Sequence, residues 1–403
     1  MFKCLPALLL LTLVSISVNA QVLTREDSLN AGLNPTAKNV ILGGYGEAKY
    51  SYDKNFQTAT ATLTRNVLFV GYRFNSKITL FSEIEVEDAK VDDDGGEISL
   101  EQCVIKFDLN RNHYLLAGLV IPRIGIMNEN HLPTTFNGND RPVVEQTVIP
   151  STWREIGVSY YGNSNSIAGL NWSFGIFNGL NGEELQGGTG LKHASYGGRD
   201  ASASNISTIG SLLYFTGGLR LQASGYYGGS IGLTPRSADS LQLNTGGFST
   251  PVALGEINAT YRLNGFTAKA LATYCTIKDA ESLNTAFATN TPESMYGMYF
   301  ELAYNLLEQT KWKDKKLTAF ARYETLDLMA TVPDNGIRDE QYKQNYFIAG
   351  FNYYPIKAIA IKADWKHVST GNPNPDLIFN PAPNAPAYMA ENDFYQLGIA
   401  YSF

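Results

Sequence analysis

Apolar and polar positions alternate with a period of two along most of this chain, most plainly over its last eleven residues. Tyr395, Leu397, Ile399, Tyr401 and Phe403 fall on one face, and Gln396, Gly398, Ala400 and Ser402 on the other. Successive strand side chains point to opposite sides, so the pattern predicts a strand between two different solvents. One face suits lipid. The other is small and polar, as a wet lumen requires. The length matches a tilted membrane strand of about 9–11 residues.

Similar segments run at 40–52, 60–74, 77–90, 97–109, 113–121, 153–161, 167–178, 205–216, 219–230, 253–263, 266–277, 294–305, 316–328, 343–354, 357–368 and 393–403. Sixteen strands are therefore expected. Connections after even-numbered strands are mostly tight, such as Asn75-Ser76, Gly217-Gly218 and Asn264-Gly265. Asn-Gly between alternating runs is a strong hairpin signal. Connections after odd strands include long ones at 122–152, 179–204, 231–252, 278–293, 329–342 and 369–392. Short turns at one end and long loops at the other are the layout of an outer-membrane barrel, with turns in the periplasm and loops outside. The predicted fold is all-β: a transmembrane antiparallel β-barrel of about sixteen strands. A soluble sandwich would have shorter strands, and a propeller would repeat a blade motif that this chain lacks.

The period also sorts the charges. Ile78, Leu80, Ile84 and Val86 define a lipid face, which turns Glu83, Glu85 and Glu87 inward. Glu47, Lys49, Arg65, Arg73, Arg220, Glu256, Arg262, Glu301, Arg322, Glu324, Lys362, Asp364 and Lys366 are assigned inward on the same grounds. A charge on the lipid face costs ~2–4 kcal/mol at mid-membrane, so several could not be sustained there. Glu47, Arg65, Arg73, Glu83, Glu85, Arg322 and Glu324 are the pore-wall candidates. Acidic and basic groups are nearly balanced among the inward positions. Aromatic rings gather near strand ends, including Tyr50, Tyr72, Phe74, Trp365 and Phe403, as two interfacial girdles would.

Composition agrees with this picture. Charged residues are only 17% of the 403, while Tyr, Phe and Trp number 24, 20 and 4. The net charge of -7 argues against nucleic acid as a partner. The one long apolar run, Leu5 to Val18, follows Lys3 and ends in Val18-Asn19-Ala20, the pattern of a secretory signal peptide cut after Ala20. Losing Lys3 takes the charge from -7 to -8. The expected organisation is a leader over 1–20, a polar lead over 21–39 and the barrel over 40–403. Cys103 and Cys275 lie on separate strands, so two free, buried thiols are expected. The four histidines lack metal-ligand spacing, and no nucleophile or phosphate-binding motif appears. No catalytic residue, metal or cofactor is expected. The acidic stretch around Asp92-Asp93-Asp94-Gly95-Gly96 reads as a solvated hairpin tip, and the five prolines within 369–392 as a stiffened external loop.

The third external connection, 122–152, carries no clear strand, yet it includes Ile124, Ile126, Phe136, Val143, Val144, Val148 and Ile149. Long structureless loops in compact folds are usually functional. Apolar residues let this one fold against the inner wall and narrow the pore, with Arg123, Arg141 and Glu145 edging the opening.

From Leu119 to Gly162 the pieces Pro-Arg-x-Gly, Asn-His-Leu-Pro, Asn-Asp-Arg-Pro-Val-Val-Glu and Ile-Pro-x-Thr-Trp-x-Glu-x-Gly occur. This stretch resembles outer-membrane porins of Bacteroidota, the phosphate-selective porin O and P family. Glu101-Gln102-Cys103, Ala321-Arg322-Tyr323-Glu324 and the terminal Phe403 are similar too. The resemblance implies a sixteen-stranded barrel, usually a homotrimer in outer-membrane lipid, with its third external loop folded inward. Arg123, His131, Arg141, Trp153, Arg154 and Glu155 match the motif positions and are candidates for the constriction or for anchoring the loop. Phosphate-selective members line the pore with an arginine and lysine ladder, whereas this chain mixes both signs. The expected function is passive diffusion of small hydrophilic solutes or ions. The alternatives are a phosphate- or anion-selective porin, a barrel enzyme at the outer rim, and a loop-based adhesin.

Overall fold

The computed structural model describes residues 34–35, 39–92, 95–312, 314–377 and 388–403. The expected leader and most of the polar lead lie outside these residues, as do parts of the acidic tip and of the Pro-rich loop. Sixteen antiparallel strands form the barrel. They are β1 (Val40–Asp53), β2 (Thr58–Arg73), β3 (Ile78–Asp92), β4 (Gly95–Asp108), β5 (His113–Val120), β6 (Glu155–Asn163), β7 (Leu170–Asn178) and β8 (Ile206–Thr216). The second half is β9 (Leu219–Gly228), β10 (Val252–Leu263), β11 (Phe266–Ile277), β12 (Ser294–Asn305), β13 (Lys316–Thr331), β14 (Lys343–Ile356), β15 (Ile359–Thr370) and β16 (Glu391–Ser402). Each strand pairs with its neighbours in the chain. β16 closes on β1 from Phe394 against Asp53 to Ser402 against Tyr45. Closure leaves no unpaired edge, which a bilayer demands because it offers no water to exposed backbone groups.

The two faces separate as the period predicts. On β16, Leu397 is 57% exposed and Gln396 only 3%. Outward Ile84 on β3 is exposed, while Glu83 and Glu85 between its outward neighbours are buried. The tight turns follow residue chemistry: Asn264 and Gly265 both have positive φ, +46° and +80°, as a two-residue hairpin turn of the I′ type requires. Long connections cluster at the other end, except that the first two, after β1 and β3, are short.

Among the register shifts of the wall, one in β2 and one in β4 bear on the inner face. Opposite Glu47 and Ala48 of β1 stand Arg65 and Leu63, so Thr64 is an extra residue in β2. Opposite Glu83 and Ile84 of β3 stand Gln102 and Leu100, so Glu101 is extra in β4. A bulge of this kind re-aims a side chain, and it turns Glu101 into the lumen, where it is fully buried. Among the described residues Cys103 and Cys275 are free; Cys275 is buried, whereas Cys103 is half-buried rather than enclosed.

The inner wall is not uniformly polar. Phe69, Phe81, Val104 and Leu116 form one buried cluster with residues of the connection between β5 and β6. The interior is therefore filled on one side by protein rather than water. Arg73, expected on the pore wall, keeps the inward parity of β2 but lies exposed at the short-turn end.

Candidate functional site: the inward loop and the opening it leaves

The connection between β5 and β6, residues 121–154, folds into the barrel. Ile124, Met127, Phe136, Val144, Val148 and Ile149 are buried in the cluster that holds Phe69 and Phe81, together with Leu180, Leu191, Ile231 and Leu283 from later connections. Burying such side chains is worth roughly 1.5–3 kcal/mol each, enough to pull the loop off the surface.

Polar residues fix its path. The Glu145 carboxylate accepts from the backbone N–H of Ile126 at 2.6 Å and of Met127 at 2.7 Å, and from the Tyr299 hydroxyl at 2.7 Å. Burial pushes this carboxyl up, against those three donors. Gly125, with φ of +72°, lets the chain pass close beside it; an added Cβ would stand 2.5 Å from Glu145 Oε2. Arg123 pairs with Glu129 at 2.5 Å, and Glu129 also meets Arg220 of β9 at 3.1 Å. At the loop's far end the Trp153 indole donates to Glu155 at 2.9 Å, and the Asn178 amide to the other oxygen of Glu155 at 2.6 Å.

The tip, 136–140, docks on the opposite wall. Asn137 donates to Glu301 of β12 at 2.8 Å, and the Asn139 N–H donates to Asp364 of β15 at 2.8 Å. Lys362 of β15 donates to the Gly138 carbonyl at 2.8 Å and lies 3.9 Å from the centre of the Phe136 ring. Gly138 has φ of +78°, and a Cβ there would meet the Phe320 ring at 3.1 Å. Arg322 of β13, braced by Glu301 at 3.2 Å and Glu324 at 2.8 Å, donates to the carbonyls of Asn137 and Asp140. Asp140 takes Lys366 at 2.6 Å and Lys49 of β1 at 2.7 Å. Burial opposes the Asp140 charge, but the two lysines hold its carboxyl well below the usual carboxylate range.

A cavity of about 230 Å³ remains between the loop and the β1–β3 wall. Glu47, Lys49, Thr64, Arg65 and Glu87 line one side; Asn139, Asp140, Arg141 and Gln146 line the other, with Lys192 from the next long connection. Arg65 bridges Glu47 at 2.9 Å and Glu85 at 3.2 Å. Arg141 makes no ion pair among the described residues.

These positions divide the candidates. Arg141, Glu47 and Arg65 line this cavity. Arg123 and Glu145, expected at its edge, do not line it: Tyr299 holds Glu145 to the wall, and Arg123 pairs with Glu129, which Arg220 of β9 ties to the wall. Trp153 and Glu155 lock the loop's return. Glu85, Arg322 and Glu324 are buried in wall pairs, and Arg154 sits at the head of β6, 3.7 Å from Glu97. His131 faces Glu83 and Glu101 away from the opening. Asp140 and Lys192 escaped the sequence reading: each is an isolated loop charge with no period to place it. Glu101 escaped because a bulge breaks the alternation beside it.

The comparisons with known proteins address the fold. No family model matches the chain. A relative in Aquifex aeolicus strain VF5, described as an uncharacterized protein, is 28% identical over 357 residues, covering 83% of this chain and 78% of its own. Among solved structures, OmpF of Salmonella typhi in complex with daunomycin has a TM-score of 0.56 at 12% identity, covering 91% of this chain and 98% of its own. The anion-selective porin from Comamonas acidovorans gives 0.54 at 13%, covering 90% and 99%. A trimer form of OmpT from Vibrio cholerae gives 0.52 at 12%, covering 90% and 99%. The likeness is one of fold, and it extends over nearly the whole of each barrel.

Proposed function

We propose that the chain is an outer-membrane porin, a non-enzymatic barrel for passive diffusion of small hydrophilic solutes or ions through the opening beside the inward loop. One observation carries the reading: the loop tip crosses the lumen to β12–β15, and the opening it leaves is lined by charges of both signs. An apolar outer face, a closed sixteen-stranded wall and porins among its structural neighbours support it. Arg141, Glu47 and Arg65 then form the constriction, and Arg123, Glu145, Trp153 and Glu155 anchor the loop. A homotrimer belongs to the same reading, supported by the trimer form of a structural neighbour and by the motif resemblance over 119–162. So do a cleaved leader over 1–20, a lead over 21–39 and a barrel over 40–403. Deleting 134–140 tests the reading by single-channel recording. Conductance is expected to rise at least twofold in an assembled barrel; unchanged conductance overturns the constriction.

A weak anion preference is the second reading. The lining holds Lys49, Arg65, Arg141 and Lys192 against Glu47, Glu87 and Asp140. Charge at a narrow constriction weighs more than the protein's net charge, and salt screens it. Reversal potentials in a salt gradient should favour chloride slightly and lose that preference in Arg141→Gln. Micromolar phosphate is expected not to block chloride current, because no ladder of Arg and Lys lines the wall. A block abolished by Arg141→Gln would favour the phosphate-selective alternative.

A further inference from the structure

His131, Glu83 and Glu101 converge from three separate segments: the inward loop, β3 and the β4 bulge. Their relative exposures are 6%, 7% and 0%. His131 Nε2 lies 3.6 Å from Glu83 Oε2 and 3.7 Å from Glu101 Oε2, beyond hydrogen-bond reach of both. Nε2, Glu83 Oε2 and Glu101 Oε1 have no hydrogen-bond partner among the described residues. The ring's other nitrogen, Nδ1, is 3.2 Å from the Asn128 carbonyl. A carbonyl only accepts, so Nδ1 donates to it and Nε2 is the nitrogen turned toward the two carboxylates. Three buried polar atoms thus face one another with no hydrogen bond between them.

Neighbouring cations are turned elsewhere. Arg65 bonds Glu47 and Glu85, and Arg141 Nη2 donates to the His131 carbonyl. Glu83 and Glu101 make no ion pair with Lys or Arg among the described residues, so a dication between them would serve both carboxylates. The supporting contacts suit one as well. The Tyr45 hydroxyl donates to Glu101 Oε2, and its ring meets the imidazole edge-on at 5.8 Å. A metal-ligating histidine typically donates its remote N–H to a carbonyl or carboxylate, as Nδ1 does here.

We propose that His131 Nε2 and the Glu83 and Glu101 carboxylates bind a divalent transition-metal ion, zinc by ligand chemistry, that clips the first half of the inward loop to the β3–β4 wall. The ligand atoms lie within 4.8 Å of one another. Zinc bonds of 2.0–2.2 Å would bring them to roughly 3.4 Å, a small side-chain rotation. An imidazole in the set disfavours calcium and magnesium, which take oxygen ligands. The site lies four strands round the wall from the tip's dock on β15, so the loop would be held at two separate places.

The test uses the untagged, full-length barrel in detergent, stripped with chelator and reloaded with Zn²⁺ alone. After gel filtration, elemental analysis is expected to give one zinc per chain for the native protein and for His193→Ala, an exposed histidine elsewhere. His131→Ala should retain less than a tenth, and Glu83→Gln should bind at least tenfold more weakly, with heat-modifiable gel mobility reporting that each barrel is folded. Excess Ca²⁺ or Mg²⁺ should not displace the zinc. Equal zinc in native protein and His131→Ala overturns the proposal, as does a native protein that takes up none. Should the variants fail to fold, Co²⁺ loaded into the native barrel decides: visible ligand-field absorption quenched by Zn²⁺ supports the site, and its absence overturns it.

Discussion

Asp140 at the tip of the inward loop and Lys366 on β15 stand 226 positions apart in sequence and 2.6 Å apart in space. With Lys49 at 2.7 Å, this pair ties the loop to the seam where β16 closes on β1. Removing one partner of a largely buried ion pair leaves the other uncompensated. Because these side chains are still partly exposed, Asp140→Asn is expected to cost about 2–4 kcal/mol rather than the full penalty of a sealed pair. Heat-modifiable gel shifts should report the lower melting temperature, and single-channel traces should show higher, noisier conductance.

Acid should act through the same carboxyl. Its folded value is depressed, so it contributes stability in full above the unfolded carboxylate value of about 3.9 and loses it as pH falls below that toward the folded value. Between pH 7 and 5 the native channel should be steady. Below about pH 4 the advantage of the native barrel over Asp140→Asn should shrink progressively. Melting curves of the two at stepped pH check this; an advantage as large at pH 2 as at pH 5 would contradict the pairing.

At the loop's neck, Glu145→Ala strands two backbone N–H groups and the Tyr299 hydroxyl. An unsatisfied buried donor costs about 1–3 kcal/mol. The barrel strands do not depend on these bonds, so the wall should survive while the loop loosens. Proteinase K is expected to cut within 121–154 in Glu145→Ala at least tenfold faster than in the native protein. Glu145→Gln keeps one acceptor and should fall between.

Orientation follows from the loop asymmetry. Glu183 is exposed in the connection after β7, and Lys311 is exposed in the turn after β12. In whole cells, a membrane-impermeant thiol reagent should label Glu183→Cys, and should label Lys311→Cys only after the outer membrane is opened. The reverse pattern would invert the barrel.

The strands were legible because a period of two is a local property. Tyr395 to Phe403 could be assigned to lipid and lumen without any partner, since each face meets one solvent along its whole length. Asn264-Gly265 announced its turn in the same way, because only residues tolerant of positive φ fit there. The loop's inward course was legible from Ile124, Phe136 and Val148, whose side chains had no reason to face water.

Tertiary structure alone decided which charges meet. Glu145 and Arg123 bear charges as visible in sequence as that of Arg141, yet of the three only Arg141 lines the cavity between loop and wall. Ion pairing depends on distance in space, and the loop's neck happens to pass Tyr299 and Arg220 where its tip passes Lys49. Glu101 makes the same point about faces: one extra residue in β4 overrides the alternation that assigns its neighbours. Sequence determined a wall with two solvents and a loop too apolar to leave it; closure of β16 on β1 determined what that loop touches, because pairs such as Asp140 and Lys366 exist only once the barrel brings distant strands within reach of a salt bridge.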